Sequence, residues 1–298
     1  ERPSNQERQE TRSLKGRSID ASPSIPPSET ALTPEEQRSS ARRVLSLAPS
    51  HTEWVYALGV ESQLVGRTSS CNVPPQAQHL PSVGALFPPD LELIVAQRPT
   101  DILMISGHEP LKAQLRRLGV RVHTLQPRTF DELMELPITL GTLLGAQERA
   151  KAWVAHAQKK RPQIDPNTRP SVFIEVWHSP LSTAGSESFM GALVEAAGGR
   201  VIVQGMGQWP QISMEQVIKL DPEVILISTE ALFRMLVGPK EDRPRVWRSL
   251  SAVRSGRVYW LEGRLARPGP RVIDDLIWLA SKLGHRRMSG RQGLSPTP

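Results

Sequence analysis

The sequence predicts an α/β protein of two lobes, each with a largely parallel sheet, separated by a helical connector. Three observations support this fold class. The chain has 298 residues, 38% hydrophobic and 22% charged, which is enough material for two cores. Strand-like runs alternate with helical patterns in both halves. Between the halves lies a stretch in which only helical spacing remains.

A short pattern occurs once in each half and indicates that the lobes are similar. In the first half Asp90 caps a helix, Glu92 lies in its first turn, and Pro99 ends it before an apolar strand. In the second half Ser213 is the cap, Glu215 lies in the first turn and Pro222 ends the helix. The spacing between glutamate and proline is the same in both halves. We therefore expect one exposed carboxylate at the matching helix start of each lobe.

The first half begins with an apolar strand at 44–48, which Pro49 breaks. Ser50 or Thr52 is expected to cap the next helix, and Gly59 to end it. The rest of this half is predicted to contain strands at 64–66, 102–105 and 121–125, with a helix at 111–118. Because strands are followed by helices or polar loops, a parallel sheet is the natural arrangement.

Apolar residues at helical intervals between Phe130 and Leu144 predict one helix of the connector, and 146–160 predicts a second. The strand and helix alternation then resumes. We expect strands at 171–177, 201–203, 224–227 and 257–261, with helices at 189–197 and 272–283. These elements form the second α/β lobe.

The predicted domain organisation follows from these elements. The start of the chain is rich in Ser, Pro and Arg, and its few apolar residues cannot offset the entropy lost on ordering. We expect a disordered tail at 1–42, an N-terminal α/β lobe at 43–128, a helical connector at 129–165, a C-terminal α/β lobe at 166–284 and a disordered end at 285–298.

Composition argues against several functional classes. The net charge of +7 comes from scattered basic residues without a nucleic-acid motif, so no nucleic-acid partner is expected. The single cysteine, Cys71, excludes an internal disulfide and a zinc site built from cysteines. The sequence also lacks a G-x-S-x-G elbow, a phosphate-binding P-loop and an H-E-x-x-H motif, so we predict no enzymatic activity and no catalytic residues.

Five stretches together resemble one family, the helical-hinge substrate-binding proteins of ABC importers. They are 44–53 (VLSLAPSHTE), Pro74-Pro75, 91–99 (LELIVAQRP), 209–217 (WPQISMEQV) and 267–271 (RPGPR). Within the family, the chain is most similar to the cobalamin-binding proteins. The resemblance covers about 43–283. It implies two Rossmann-like lobes joined by a long helical connector, with cobalamin held in the cleft between them as a transported ligand and with no catalytic cofactor.

The resemblance also implies partners and a location. The ligand is passed to a membrane permease and its ATPase, and the protein is a monomer that acts in the periplasm or elsewhere outside the cytoplasm, with the N-terminal tail as a candidate tether. Glu92 and Glu215 resemble the glutamates that dock on the two permease subunits. The simpler explanation is that an acidic residue in the first turn complements the helix dipole, an effect worth about 0.3–1 kcal/mol.

Ligand-binding residues are expected on the loops that follow strands, because ligands of parallel α/β sheets bind beyond the carboxyl ends of the strands. Aromatic and polar residues there suit a large, flat macrocycle with an amide rim. The predicted set is Ser50, His51, Cys71, Phe87, Trp177, His178, Trp209 and Arg267. Cys71 could instead be a small buried thiol, and Trp177 could close the core. The family commonly has an aromatic residue near Val73, which this chain lacks.

Other ligands and a different class of function remain open at this stage. Haem, a ferric siderophore or a metal chelate would suit the same fold. Three imidazoles, His51, His108 and His178, follow three strands and could in principle converge on a metal, although none of them has the close helical spacing of a preformed site. A metal-dependent enzyme of a nitrogenase-like, two-lobed fold would need cysteine ligands that the sequence does not supply. We therefore predict no resident metal.

Overall fold

The computed structural model describes residues 42–265 and 267–284. The two segments predicted to be disordered, 1–42 and 285–298, lie outside these ranges apart from Arg42. Within the described ranges the chain forms two largely parallel sheets connected by helices, so the predicted fold class is confirmed. None of the helices in this part of the chain is both long and apolar enough to cross a membrane. The domain boundaries proposed from the sequence stay predictions.

The N-terminal sheet has four parallel strands in the order β2-β1-β3-β4. These are β1 (Val44–Ser46), β2 (Leu64–Arg67), β3 (Asp101–Met104) and β4 (Arg121–Thr124). The helices of this lobe are α1 (Pro49–Ala57), α2 (Leu91–Ala96) and α3 (Glu109–Arg117). The two central strands, β1 and β3, are buried at every position, as expected for apolar strands covered on both faces.

The start of α1 differs from the prediction that Ser50 or Thr52 caps it. The N-cap position is Ala48, without a side-chain hydrogen bond, and Pro49 occupies the first helical turn. The prediction was wrong because proline has a φ suited to the first turn, where its missing N–H is unpaired anyway. Thr52 lies inside the helix instead, and its hydroxyl donates to Oγ of Ser46 at 2.9 Å.

A buried carboxylate ties β3 to the edge strand β4. Asp101 accepts hydrogen bonds from Nε and Nη2 of Arg121 at 2.8 and 2.6 Å, and its Oδ1 lies 2.9 Å from Nε2 of His123. Burial alone would raise the pKa of Asp101, but these bonds and one from Thr100 outweigh it and hold the pKa at about 2. The amino ends of these strands are thereby fixed together.

The connector consists of two helices, α4 (Phe130–Leu144) and α5 (Gln147–Lys160). Thr129 and Glu132 form a capping box at the start of α4, and Gly145 ends it in the left-handed conformation with φ of 76°. The two helices pack closely, because a Cβ atom at Gly141 would lie 2.5 Å from Cβ of Ala150. The predicted pair of helices is confirmed.

The C-terminal sheet has the order β6-β5-β8-β9, and β7 pairs with the first residues of β5. Its strands are β5 (Ser171–His178), β6 (Leu181–Thr183), β7 (Arg200–Val201), β8 (Val224–Ile227) and β9 (Val258–Trp260). β7 and β8 pair parallel with β5, and β9 pairs parallel with β8. β6 pairs antiparallel with the end of β5. The hairpin formed by β5 and β6 was not predicted, because its short second strand follows Pro180, which reads as a loop signal.

Six helices of the described chain belong to this second half: α6 (Phe189–Ala196), α7 (Met214–Leu220), α8 (Glu230–Val237), α9 (Arg245–Arg248), α10 (Ser251–Arg254) and α11 (Val272–Leu283). Single 3₁₀ turns occupy Glu61–Gln63, Pro75–His79 and Lys240–Asp242. The final helix, α11, has the bounds that its amphipathic pattern predicts. Its first turn carries two acidic residues, Asp274 and Asp275, which complement the helix dipole.

The two copies of the repeated pattern occupy equivalent places. Helix α2 precedes β3, which lies between β1 and β4, and helix α7 precedes β8, which lies between β5 and β9. Asp90 accepts hydrogen bonds from the N–H groups of Glu92 and Leu93, and Ser213 accepts one from Gln216. Both predicted caps are therefore confirmed.

One large apolar core joins the two halves. It contains residues of β1 and α1, residues of both connector helices, and residues of β5, α6 and α11. Trp54 of α1 packs edge-on against Trp153 of α5, with ring centroids 4.6 Å apart. Because close-packed interiors transmit strain and resist deformation, this arrangement disfavours large rigid-body motion between the halves.

Candidate ligand-binding site

The two halves also meet through segments that follow strands. The loop after β9 in the C-terminal half contacts α1, which follows β1 in the N-terminal half. Nε1 of Trp54 donates to the carbonyl of Pro268 at 2.9 Å, and Nη1 of Arg267 lies 3.0 Å from Oε1 of Glu53. The carboxyl ends of strands in both sheets therefore border this boundary, where α/β sheets bind their ligands.

Phe87 presents an exposed aromatic face in the N-terminal half. Its side chain is 51% exposed, and its other face stacks on the imidazole of His108 with a centroid distance of 4.2 Å. His108, which directly precedes α3, is buried, and its Nε2 has no hydrogen-bond partner among the residues that the structure describes. Burial lowers the pKa of His108, with the carboxylate of Glu109 opposing the shift, so the ring is held neutral beneath Phe87.

Ser50, His51 and Cys71 lie beneath the surface at this edge of the N-terminal sheet. His51 is fully buried and its Nε2 lies 3.0 Å from the carbonyl of Leu125, which identifies Nε2 as the protonated nitrogen of the neutral ring. Sγ of Cys71 is 3.3 Å from Oγ1 of Thr68 and is also fully buried. None of the three predicted residues offers appreciable surface to a ligand in this structure.

In the C-terminal half, the unpredicted strand β6 brings two aromatic segments together. Ser182 of β6 pairs with Trp177 of β5 on one side and bridges to Gln211 on the other. Thr183 N–H donates to the carbonyl of Pro210 at 3.0 Å, which fixes the residue after Trp209 beside the hairpin. The sequence separation of Trp177 and Trp209 concealed this neighbourhood, and only recognition of the hairpin would have revealed it.

The side chains on these segments are open. Trp177 is 63% exposed and its Nε1 donates to the carbonyl of Ser179, while Trp209 is 45% exposed and contacts Phe189 edge-on at 5.8 Å. His178 is also exposed, with its ring centroid 6.4 Å from that of Trp247. Met206 is a further exposed apolar residue of this region that the sequence analysis did not single out.

Arg267 has a different environment from the one expected of a free ligand contact. Besides Glu53, its guanidinium donates to the carbonyl of Ser70 at 3.3 Å and to Oδ1 of Asn72 at 3.0 Å. Burial raises the pKa of Glu53, and the guanidinium of Arg267 opposes that rise. Arg267 thus connects the loop after β9 to the loop after β2. The sequence could not reveal this pairing, since Glu53 precedes Arg267 by 214 positions.

The three imidazoles do not come together as a metal site. His51 and His108 belong to the N-terminal half, where they are held by Leu125 and Phe87, whereas His178 lies at the end of β5 in the other sheet. Among the residues that the structure describes, no group of three His, Cys, Asp or Glu side chains is close enough to hold a metal ion.

A surface cavity of about 450 Å³ lies elsewhere, lined by Glu223, Ser251, Arg254, Ser255 and Arg257. Glu223 and Arg257 directly precede β8 and β9, so this cavity is at the amino ends of the strands. Arg254 is already bonded to Oγ of Ser251 at 2.9 Å. The cavity is therefore separate from the strand-following loops that carry the exposed aromatic residues.

Glu92 and Glu215 are exposed and occupy the second position of α2 and α7. Because the two helices have equivalent places in their sheets, the carboxylates occupy equivalent positions in the two halves. Each carboxylate also lies where the helix dipole favours negative charge. The geometry is compatible with both explanations given for these residues.

Two α/β halves on a common helical core, with aromatic residues exposed at and after the ends of strands, define a two-lobed binding protein. The model of the family described as periplasmic binding protein matches residues 44–265. The chain belongs to this family, whose members bind and transport rather than catalyse. It is a substrate-binding protein of the ABC transporter type.

Individual relatives differ in their ligands. An uncharacterized ABC transporter substrate-binding lipoprotein of Bacillus subtilis is 27% identical over 83% of this chain and 81% of its own length. The crystal structure of the periplasmic vitamin B12 binding protein of Vibrio cholerae has a TM-score of 0.68 and 26% identity, covering 81% of this chain and 96% of that one. A periplasmic heme binding protein from Pseudomonas aeruginosa has a TM-score of 0.65 and 27% identity, covering 83% and 95%.

Proposed function

We propose that the chain captures cobalamin or a related corrinoid between its lobes and delivers it to an ABC permease and its ATPase. The observation that carries this proposal is exposed aromatic surface on both halves, from Phe87 on one and from Trp177 and Trp209 on the other. Such side chains provide large contact area to a rigid macrocycle at small entropic cost. Similarity to the vitamin B12 binding protein of Vibrio cholerae supports the ligand class.

The eight predicted residues have two roles in this proposal. Phe87, Trp177, His178 and Trp209 contact the ligand directly, because they are exposed. The other four, Ser50, His51, Cys71 and Arg267, shape the site from behind or fix its loops. Binding energy then comes chiefly from apolar burial, at about 25 cal/mol per Å² of apolar surface removed from water.

Delivery requires docking, and Glu92 and Glu215 are proposed as its acidic contacts, one for each permease subunit. A partner with two equivalent basic sites would match two carboxylates in equivalent positions. The chain acts as a monomer in the periplasm or elsewhere outside the cytoplasm, with the tail at 1–42 as a candidate tether. Similarity to the Bacillus subtilis lipoprotein supports such a location.

A second candidate ligand is haem or another metal chelate. His178 supports this alternative, because it is exposed next to Trp177 and could offer an imidazole nitrogen as an axial ligand. Similarity to the heme binding protein of Pseudomonas aeruginosa points in the same direction. The two candidates differ in what His178 does: it is an axial ligand for haem and a peripheral contact for a corrinoid.

Parallel titrations with cyanocobalamin and haemin distinguish the two ligands. We expect saturable heat with cyanocobalamin by isothermal titration calorimetry and no shifted Soret band with haemin. No heat with cyanocobalamin would remove the corrinoid assignment. If haemin instead gives a shifted band that His178→Ala abolishes, the second candidate is correct.

A further inference from the structure

The two repeat helices share more than their glutamates. With Glu92 aligned on Glu215, Ile94 aligns with Val217, and both are fully buried. In the turn after each helix, the aligned residues Arg98 and Asp221 both adopt positive φ angles, of 46° and 35°. The next pair, Pro99 and Pro222, are both buried. The copies therefore match in the buried residue of the helix and in the turn that follows it, although α2 ends one aligned position earlier than α7.

The same alignment pairs two exposed β-branched residues, Val95 of α2 and Ile218 of α7. Val95 is 44% exposed and Ile218 is 38% exposed. Each lies three positions after its glutamate, and residues with this spacing are neighbours on one helix face. Lys219 takes the place of Ala96, so the two copies do not share every feature of their surface. What they share on that face is a carboxylate beside a β-branched side chain.

Each of the two repeat helices carries two exposed large apolar residues. Of fourteen large apolar residues that are exposed in the described chain, four lie on α2 or α7, namely Leu93, Val95, Ile218 and Leu220. Five others lie at the candidate ligand site, one at the end of strand β5 and four on loops: Trp177, and Val73, Phe87, Met206 and Trp209. Exposed apolar residues are common, and α8 also carries two, Met235 and Val237. What distinguishes α2 and α7 is that one exposed apolar residue of each, Val95 and Ile218, occupies the same aligned position beside a glutamate.

We infer that Val95 and Ile218 are apolar docking contacts for the two permease subunits, each acting beside its glutamate. This inference rests on the proposed docking role of Glu92 and Glu215 and adds a second, apolar component to it. The complementary site on each subunit is a basic side chain next to an apolar recess. An apolar contact that excludes water around an ion pair also strengthens the pair, because the local dielectric constant falls.

Charge distinguishes this partner from two other occupants of the same surface. A second copy of the chain, joined through the matched helices, would bring the glutamates of the two copies together, and like charges that face each other in an interface oppose association. A bilayer with anionic lipids would repel the same carboxylates. A partner with two basic sites avoids both penalties, and duplication of the pair within one chain matches a partner built of two equivalent subunits.

Serine substitutions at the two β-branched residues test the inference. The affinity of the full-length protein for its permease–ATPase complex is measured in nanodiscs by surface plasmon resonance, with stimulated ATP hydrolysis as a second readout. We expect Val95→Ser and Ile218→Ser each to weaken docking about threefold, and the double variant about tenfold, since distant sites contribute additively. Leu118→Ser and Val246→Ser, which change exposed residues outside the repeat helices, are the matched controls and should dock as the wild type does.

Each outcome identifies which statement fails. If Val95→Ser with Ile218→Ser docks as tightly as the wild type, the inferred apolar contacts are wrong. Loss of docking in Glu92→Gln with Glu215→Gln would still support the proposed docking role of the glutamates. If the glutamine variants also dock normally, the docking surface lies elsewhere on the chain. If the wild-type protein binds cyanocobalamin but does not bind the permease–ATPase complex, both the proposed docking by the glutamates and the inferred apolar contacts are wrong. Unchanged thermal unfolding and unchanged cyanocobalamin titration of each variant show that folding and ligand capture are intact.

Discussion

At the scale of single residues, His51 was predicted to bind the ligand, but its buried imidazole affects the stability of the fold. Its side chain is fully buried in α1, and one of its nitrogens is bonded to Leu125. The other, Nδ1, has no partner within 42–265 and 267–284. Burial is the main cause that lowers its pKa, to about 4, and the bond to Leu125 opposes the shift only in part. His51 is therefore neutral in the folded protein at neutral pH.

Mild acid is expected to destabilise the protein through His51. Its folded pKa of about 4 lies below the ordinary value of 6.5, so only the unfolded chain takes up this proton as the pH falls between those values. The loss in free energy of unfolding caused by His51 is zero well above pH 6.5 and reaches about 3 kcal/mol near pH 4. His51→Gln, which keeps a donor for Leu125, should remove this part of the pH dependence of urea unfolding.

The exposed His156 provides the control for that prediction. His156→Gln should retain the wild-type loss of stability over the same pH range, because it leaves the buried imidazole of His51 in place. Equal pH profiles for the wild type and His51→Gln would mean that His51 is hydrated in solution and that its burial is wrong.

At the scale of elements, the connector depends on close contact between α4 and α5. Gly141 allows this contact, since a methyl group there would lie 2.5 Å from Cβ of Ala150 and 3.0 Å from the carbonyl oxygen of Ala146. Distances this short require displacement of a helix or a turn. The glycine is thus needed for space, in a helix where alanine would otherwise be favoured by about 1 kcal/mol.

Gly141→Ala is therefore expected to lower the free energy of unfolding by about 1–3 kcal/mol, despite the better helix propensity of alanine. Adding Ala150→Gly should recover part of this loss, because it removes the nearer of the two contacts. Thr142→Ala, at an exposed position of α4, is the control and should change stability little. Stabilisation by Gly141→Ala in urea unfolding would contradict the close packing.

Many of the helices and strands could be predicted because residues close together in the sequence determine them. The strand at 224–227, the final helix at 272–283 and the two capped repeat helices depend on nearby periodicity, cap residues and prolines. The hairpin of β5 and β6 escaped because Pro180 looks like a loop residue and the second strand is only three residues long. The first helix starts early because Pro49 serves as a helix start as well as a strand end.

At the scale of the whole molecule, the ion pair between Arg267 and Glu53 joins the two halves. The side chain of Glu53 is only 10% exposed, and that of Arg267 is 31% exposed. Gly269 approaches the same carboxylate so closely that a Cβ atom there would lie 2.6 Å from Oε2 of Glu53. The sequence predicts that Arg267 lies near the ligand, but it does not reveal this partner, because the pairing exists only after both halves have folded.

Arg267→Gln is expected to lower the free energy of unfolding by about 2–3 kcal/mol, since it leaves a largely buried carboxylate without its cation. The folded pKa of Glu53 is already raised and should rise further, so the defect should grow as the pH rises and more of the carboxylate ionises. Adding Glu53→Gln should restore part of the stability.

A double-mutant cycle in urea gives the coupling between the two side chains, expected at about 1–2 kcal/mol. Strict additivity of Arg267→Gln and Glu53→Gln would mean that the link across the halves does not form in solution. Unchanged stability in Arg267→Gln at neutral pH would carry the same conclusion.

The site itself could be predicted only in part. The strand ends located the region of the site, but the exposure of a side chain there depends on the packing of distant segments. Trp177, at the end of β5, is exposed, whereas His51, in α1, is buried. The assignment of ligand-contacting residues therefore stays a prediction. Capture of a ligand between the lobes makes one requirement of these residues. Aromatic residues of both halves must contact the same ligand.

Calorimetric titration of cyanocobalamin into single-lobe variants tests that requirement most directly. Phe87→Ala removes exposed aromatic surface from one half and Trp209→Ala from the other, while Leu118→Ala serves as the exposed control. We predict saturable binding by the wild type and the control, and affinity lower by about tenfold or more in each aromatic variant. Wild-type affinity in both aromatic variants, or no binding by the wild type, would contradict capture of a corrinoid between the lobes.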